Sequence, residues 1–523
     1  MAKGFHGRVL RVNLSKGSLE RVEMPESFYR MYMGGASFGA WFLLKETAPD
    51  LDALAPGNLL TIAPSVLTGA RVSGVSRCSV SALSPLTGVI GDGQAGGDLG
   101  PMVKRAGLDA IVIEGKAARP VYLYIDAETA ELRDAEPWWG SDVLSVADAI
   151  DERYGTKDVG WLQCGPAGEK LVRFANLLAG RNDVIGRTGM GAVFGSKNLR
   201  AVVVRGDGEV PLADPDALKA LNRLAAKRRP DAGFPSTLFA QGTPGVLSPQ
   251  AEGGNLATHN FSRSFHEDHA LLSGNAMEAA GMAAGGTTCW GCVISCRKRV
   301  KLTKGLNEHH SHDVSDGLGG PEFETLGLLG SNLDITDLGA VAKANELCNN
   351  HGIDTITMGS IAGYLFESME AGLIGTDATS GRALAFGDSE GLLWLIEQIV
   401  TREGIGDILA EGFEASIARF GEATRPFAIH VKGQGLAVHM AQVKPTQALM
   451  YAVSPIGADH QSCEHDWLMG SDGEDRKGLG ILDSVADSPG SADDLAKVRM
   501  TAYGQFFYGL LDTLTLCQFV WGP

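Results

Sequence analysis

Apolar positions in the first part of the chain fall in short runs with a period of two. Residues 7–14 and 19–24 alternate on either side of Ser15-Lys16-Gly17, which predicts a β-hairpin. Residues 59–63, 110–114, 121–125 and 201–204 are compact β-branched or apolar runs closed by Gly, Pro or Asp, and they read as buried strands. Two glycine-dense loops, 91–100 and 186–191, lie between them. Beyond about residue 212 the apolar period lengthens to that of a helix. Thr336-Asp337 caps a run through Leu338, Val341, Ala344 and Cys348 that Gly352 stops. Further helices are predicted over 358–371, over 389–403, and from a cap at Asp407 through Phe420. Residues 431–442 have no clean period, and 448–455 read as buried. The expected fold class is therefore α+β, with a β-rich N-terminal domain (1–211) followed by two mainly α-helical domains (212–428 and 429–523). An apolar segment runs to the end of the chain, so the last domain is expected to be incomplete.

Composition narrows the function classes. At 523 residues the chain exceeds one compact core. A formal charge of −17 excludes a nucleic-acid partner, whose phosphates need clustered Lys and Arg, but leaves room for small anions held by backbone N–H groups and a few local arginines. The N-terminus has no apolar signal core, and no run reaches the length of a membrane span. Eight cysteines without a disulfide-like framework point to a reducing compartment, so a cytoplasmic location is expected. The 69 glycines, spread through folded-looking sequence, imply tight turns and close backbone approaches.

Three of the eight cysteines, Cys289, Cys292 and Cys296, follow a C-x2-C-x3-C spacing that turns three thiolates toward one centre. Iron–sulfur and zinc chemistry both suit it. A fourth ligand would come from Cys78, Cys164, Cys348, Cys463 or Cys517; Cys348 lies on an apolar helix face and reads as core, and spacing does not choose among the others. The glycine loops read as phosphate cradles helped by Arg77, Arg181, Arg187 and Lys197, although neither matches a dinucleotide fingerprint or a P-loop. Glu322 and Glu324, in Gly320-Pro-Glu-Phe-Glu324, share one face of an expected extended segment and are acid–base candidates. His460, beside Gly457, is another. The histidine-rich tract 309–312 reads as a solvated loop.

These pieces together resemble the aldehyde ferredoxin oxidoreductase family. The resemblance is carried by GRVLRVNLSKG at the N-terminus, SPLTG (84–88), AGLDAIVIEGKA (106–117), GPAGE (165–169), GMGAVFGSKNLRAV (189–202), the cysteine loop, GPEFE, residues 348–355 and GADH (457–460), in the family's order. It implies tungsten or molybdenum on two pyranopterins beside one [4Fe–4S] cluster, with the pterins on the β-rich domain under two helical domains. Cys517 then matches the fourth cluster ligand beside Cys289, Cys292 and Cys296. Arg77 matches an arginine between cluster and pterin phosphates. Gln94 and Val184 match residues whose backbone carbonyls hold a Mg2+ bridging those phosphates, within glycine segments that include Gly96, Gly97, Gly186 and Arg187. Two pterin motifs match residues 349–354 (Asn349, Gly352, Asp354) and 512–517 (Asp512, Leu516); the first starts on Asn rather than Asp, and the second carries Thr515 where Gly is usual. Glu324 and His460 match the acid–base pair near the metal.

The function the resemblance implies is oxidation of an aldehyde to a carboxylic acid, with electrons passing through the cluster to ferredoxin or to an iron–sulfur partner subunit. Two alternatives stand beside it: reduction of an aromatic acyl-CoA, as in benzoyl-CoA reductases, and a non-catalytic electron-transfer or structural subunit. A homodimer is one option for assembly. The chain departs from the family pattern at several places. Residues 437–442 replace a P-A-Y-D-P-R-like segment, Ser462 stands where a lysine is usual, and the 309–312 tract belongs to an insertion. Lys343 replaces a glutamate that binds a subunit-bridging iron, so that iron is not expected. The family pattern also continues past the fourth cysteine, which predicts a truncated C-terminus.

Overall fold

The computed structural model describes residues 3–463, Asp466 and 495–521. Two six-stranded mixed sheets make up the N-terminal part. The first contains β1 (Arg8–Asn13), β2 (Ser18–Glu23), β3 (Leu60–Ala63), β4 (Cys78–Leu83), β5 (Ile90–Ala95) and β6 (Ala110–Glu114), in the order β2-β1-β6-β3-β4-β5. The second contains β7 (Val121–Ile125), β8 (Ala130–Asp134), β9 (Val159–Cys164), β10 (Leu177–Ala179), β11 (Asp183–Ile185) and β12 (Leu199–Arg205), in the order β11-β10-β9-β12-β7-β8. Leu10, Ile62 and Val80 of one sheet share a single core with Leu123, Leu162 and Val202 of the other. Among the described residues, parallel pairing is confined to β1 with β6 and β7 with β12.

The short apolar runs predicted as strands are β1, β2, β3, β6, β7 and β12. The strands that periodicity missed are instructive. The first glycine-dense segment is not a loop throughout: residues 90–95 form β5, paired along its length with β4. Its polar pattern is tolerated inside the sheet because Ser79 and Ser81 of β4 donate to the Asp92 carboxyl, satisfying groups that water cannot reach.

Helices dominate from residue 215 onward, giving the α+β class expected. Asp337 caps Leu338–His351 by accepting from the Ala340 N–H, and Gly352 ends it in the left-handed region at φ 73°. Asp354 caps the next helix, Thr355–Glu370. Ser389–Thr401 is capped by Asp388 rather than by Ser389. The helix predicted from Asp407 to Phe420 is two, Ile405–Leu409 and Phe413–Phe420, broken at Gly412 with φ 90°. Residues 445–453 form a helix whose Met450 and Tyr451 are buried. Among the described residues, no helix is long and apolar enough to cross a membrane.

Candidate active site

The cysteine loop joins two paired strands, the largely exposed Ala283–Thr287 and the more buried Arg297–Val300. Its thiols, from Cys289, Cys292 and Cys296, meet Cys517, which arrives after the helix Leu495–Thr513 and is tied down by its N–H donating to Gly74 O at 2.8 Å. Thr515 takes the left-handed conformation (φ 51°) that glycine would hold in this motif; its buried hydroxyl lies 3.0 Å from Thr68 Oγ1. This position costs a β-branched residue roughly 1–2 kcal/mol. Gly96 passes so close that a Cβ there would stand 2.5 Å from Cys289 Sγ. Burial pushes the Cys289 thiol up to about 12 and Cys296 well above its usual range. These thiols therefore stay protonated unless a cationic metal replaces the protons, and four convergent cysteines fit a metal cluster. The remaining four cysteines differ: Cys78, Cys164, Cys348 and Cys463 are all fully buried, the first three in apolar packing.

Two arginines stand over the thiols. Arg77 lies against Cys517, Cys289 and Asp512; burial works against its charge, and the negative charge those groups carry when ionised raises its proton affinity. Arg297 donates from Nη2 to Cys289 Sγ at 3.2 Å and pairs with Asp183. Sequence reasoning missed Arg297, which closes the cysteine loop and reads locally as an ordinary surface cation.

Beyond Arg297 opens a cavity of about 180 Å3 whose walls include Val184, Gly186, Arg187, Asn349, Asp354 and Glu324. Asn176 Oδ1, Asn182 Oδ1, Arg187 Nη1 and Arg297 Nε are buried wall atoms without a hydrogen-bond partner in the protein. A cradle that leaves both donors and acceptors open fits a polar, hydrogen-bonding ring system with phosphates, as a pterin cofactor has. Asn349 and Asp354 also serve the fold. Asn349 Nδ2 donates to Gly319 O at 3.1 Å, and Asp354 accepts from Ile356 N and Thr357 N while facing Arg187 Nε at 3.4 Å. On the opposite side, Gln94 Nε2 reaches Asp512 O at 3.1 Å, and Gln94 Oε1 is a buried atom left open. Burial, with Asp92 and Asp459 nearby, holds the Asp512 carboxyl well above the usual carboxylate range, so it offers a proton rather than a charge. Leu516 packs against Val72 and Val75. A Cβ on Gly93 would meet Ile185 and the Gly186 carbonyl at 2.8 and 3.0 Å, which sets the strand bearing Gln94 against the segment bearing Val184. Gly97 lies beside Asp183.

Two other predicted phosphate contacts are corrected. Lys197 is fully buried and donates to the carbonyls of Pro56 and Gly115, and burial lowers it to about 8. Arg181 is held by Asp148 and Asp151. The distal half of the second glycine loop serves packing: Gly195 abuts the Gly168 carbonyl.

Glu324 sits in the first turn of Phe323–Leu328, so the segment that reads as extended is a helix start. Its Oε2 accepts from Val438 N–H at 2.9 Å. Its Oε1 lies 3.2 Å from His439 Nε2 and 3.5 Å from His460 Nε2. Sequence reasoning missed His439, which stands in the aperiodic stretch 431–442. Asn255 Oδ1 accepts from Met440 N–H at 2.8 Å, which turns its amide donor to His439 Nδ1 at 3.0 Å; Lys444 Nζ is 3.4 Å from the same nitrogen. Burial, Lys444 and His460 keep this ring neutral. With two donors at Nδ1, the proton sits on Nε2 and points at Glu324. Among the described residues, the three side chains also meet the spacing for a metal ion, but an Nε2 ligand would need its Nδ1–H to find an acceptor, and Nδ1 faces donors. Of the histidine-rich tract, His310 is buried rather than solvated, its ring nitrogens against the carbonyls of Ala280 and Thr303. Ser462 donates to Asp459, and Lys343 pairs with Glu346.

Glu324, His439 and His460 also close one end of a second cavity, of about 420 Å3, whose other walls include Phe234, Val246, Pro249, Phe323, Tyr508 and Phe519. Family models for aldehyde ferredoxin oxidoreductase match nearly end to end: the N-terminal domain over residues 9–206, and domains 2 and 3 over 219–523. The chain belongs to the aldehyde ferredoxin oxidoreductase family. Among similar proteins, a tungsten-containing aldehyde ferredoxin oxidoreductase of Pyrococcus abyssi is 38% identical over 461 residues, covering 87% of this chain and 74% of that one. One from Thermococcus kodakarensis is 35% identical over 524 residues, covering 99% and 82%. An aliphatic sulfonate oxidoreductase WOR-like subunit of Pyrococcus furiosus is 31% identical over 482 residues, covering 88% and 75%. The active-site complex BamBC of benzoyl coenzyme A reductase, solved with 1,5-dienoyl-CoA, superposes with a TM-score of 0.81 at 24% identity over 99% of this chain and 82% of that one, and so shares the fold.

Proposed function

We propose that this chain oxidises an uncharged, apolar aldehyde to its carboxylic acid and delivers the electrons to ferredoxin. One observation carries the reading: Glu324 lines both cavities, so a single carboxylate borders the apolar pocket and the polar cradle. The balance is one aldehyde and one water giving the acid, two protons and two electrons, the electrons reducing two one-electron carriers.

The apolar wall would hold the organic group of the substrate. His460 would orient the aldehyde oxygen, and Glu324 Oε1 would take the proton lost as water adds. Val438 N–H holds Oε2 and leaves Oε1 facing the pocket. In this proposal Arg77, Arg187, Asn349, Gly352, Asp354, Asp512 and Leu516 form the pterin cradle, with Gly96, Gly97 and Gly186 allowing close approach. The carbonyls of Gln94 and Val184 hold Mg2+, and the four cysteines hold a [4Fe–4S] cluster suited to one-electron relay. When bound, the tungsten pterin supplies the two-electron redox and Lewis-acid chemistry. The β-rich unit 1–211 and the helical units 212–428 and 429–523 are the domains of this arrangement. Free cysteines throughout the described residues support a reducing, cytoplasmic setting.

An acyl-CoA or a sulfonate would bring anionic groups to the larger cavity, and its described lining contains no Lys or Arg. Purified protein assayed with a viologen dye should therefore oxidise aromatic and medium-chain aldehydes and leave aromatic acyl-CoA and sulfonates untouched. Metal analysis should find tungsten or molybdenum with iron; iron alone would overturn the enzymatic reading, as would turnover of acyl-CoA in preference to aldehydes.

His439 gives a sharper test of the site. In His439→Leu, kcat should fall about 10- to 100-fold, the worth of one hydrogen bond to a charged group, with KM little changed. His439→Gln should recover most of it, because the Gln amide donor can occupy the Nε2 position. Equal impairment of the two variants at full metal content would remove the His439 N–H from the account.

A further inference from the structure

The net charge of −17 is not evenly spread. Residues 283–304, which carry the cysteine loop, hold five cations and no carboxylate; Lys301 and Lys304 are exposed, Lys298 and Arg299 half-buried, and Arg297 is buried against Asp183. The helix Pro215–Arg228 lies against that loop: Asn222 donates to Gly291 O at 3.0 Å, between Cys289 and Cys292, and accepts from Ser73 N and Oγ. It exposes Lys219, Arg223, Lys227 and Arg228, and exposed Arg71 stacks over Trp290 of the loop at 4.4 Å. Its carboxylates, Asp214 and Asp216, sit at the helix N-terminus, and Asp231 follows the helix. Helix-dipole complementarity accounts for Lys227 and Arg228 but not for Arg71 or Arg223.

The helix is also under-packed. None of its residues is buried among the described residues, and Leu221 and Leu224 are 40% and 43% exposed. Phe239, 43% exposed beneath the Arg229 guanidinium at 3.5 Å, extends the apolar surface toward the loop. Apolar side chains ringed by cations, over a cysteine cluster, have the make-up of a transient docking surface.

We propose that this face, formed by Pro215–Arg228 and the cysteine loop, docks an acidic one-electron carrier of the ferredoxin kind. The proposal rests on the reading that the four cysteines hold an electron-relaying cluster. An acidic carrier is repelled by the field of a −17 protein over most of its surface and drawn to this face, which selects the orientation nearest the cysteines as well as the partner.

The probe is an acidic two-cluster ferredoxin, its binding measured against ionic strength, with aldehyde turnover followed in parallel through ferredoxin and through methyl viologen. Wild type should bind at low salt and weaken as salt rises. Arg223→Glu/Lys227→Glu/Arg228→Glu should weaken binding at low salt about tenfold or more and slow ferredoxin reduction to match, leaving viologen turnover unchanged. The single variants Arg223→Glu and Lys227→Glu should each show part of the effect, and Lys16→Glu, on the far hairpin, none. Binding that is absent in wild type at low salt, insensitive to salt, or unaffected by the triple variant would overturn the proposal, as would a parallel loss with viologen in the single variants. Because binding needs no turnover, a wild type that binds ferredoxin yet oxidises no aldehyde would overturn the aldehyde reading while leaving the docking face standing.

Discussion

Replacing Glu324 by Gln should slow aldehyde turnover by about two to four orders of magnitude while metal content stays at the wild-type level. The substitution preserves shape, so substrate should still enter the apolar pocket and KM should move little. What changes is the ability of the atom facing the pocket to accept a proton. Val438 N–H demands an acceptor, so the Gln carbonyl must turn toward it. The amide nitrogen then takes the place of Oε1, facing His439 Nε2–H at 3.2 Å in the wild type. Two donors meet there, and neither takes a proton from water adding to the aldehyde. Dye-linked kcat together with metal analysis checks this. Unchanged turnover at full metal loading would remove Glu324 from the chemistry, whereas loss of tungsten would show that the residue supports the cradle instead.

Cys517→Ala should abolish both the iron content and the dye-linked turnover, by more than about 100-fold, because a cluster with one open corner is lost from a site whose other thiols burial keeps protonated. The backbone there is anchored independently, by Cys517 N–H to Gly74 O and by Trp521 Nε1 to Ser73 O at 3.0 Å. Circular dichroism should therefore show a folded chain. Cys463→Ala supplies the contrast: it should keep its iron. Iron retained in Cys517→Ala and lost in Cys463→Ala would reassign the fourth ligand.

Both predictions concern groups that the sequence marks only partly. The C-x2-C-x3-C spacing brings three thiols together through local geometry. The fourth lies over two hundred residues away, on a segment that reads as core, and family resemblance rather than spacing singled it out. Glu324 was a candidate from its neighbours; its partner His439 was not, because a histidine in an aperiodic stretch has no local signature. The strand β5 was hidden for a related reason: its glycines and Asp92 look like a loop until Ser79 and Ser81 of β4 satisfy the carboxyl. Lys197 erred in the other direction. A lysine beside a glycine loop suggests phosphate, yet its ammonium is already bound by the carbonyls of Pro56 and Gly115.

What the sequence alone determined is what short-range physics controls: the alternating and β-branched runs of the β-rich part, a helix bounded by Asp337 and Gly352, and three cysteines turned toward one centre. The tertiary structure decided which distant groups share a volume. Sheet register set the Gln94 strand against the segment of Val184, helix packing carried Cys517 to the cysteine loop, and the Val438–Glu324 hydrogen bond put a carboxylate between two cavities. Such contacts join residues far apart in the chain, and their burial and mutual satisfaction of hydrogen bonds exist only once the whole chain has packed.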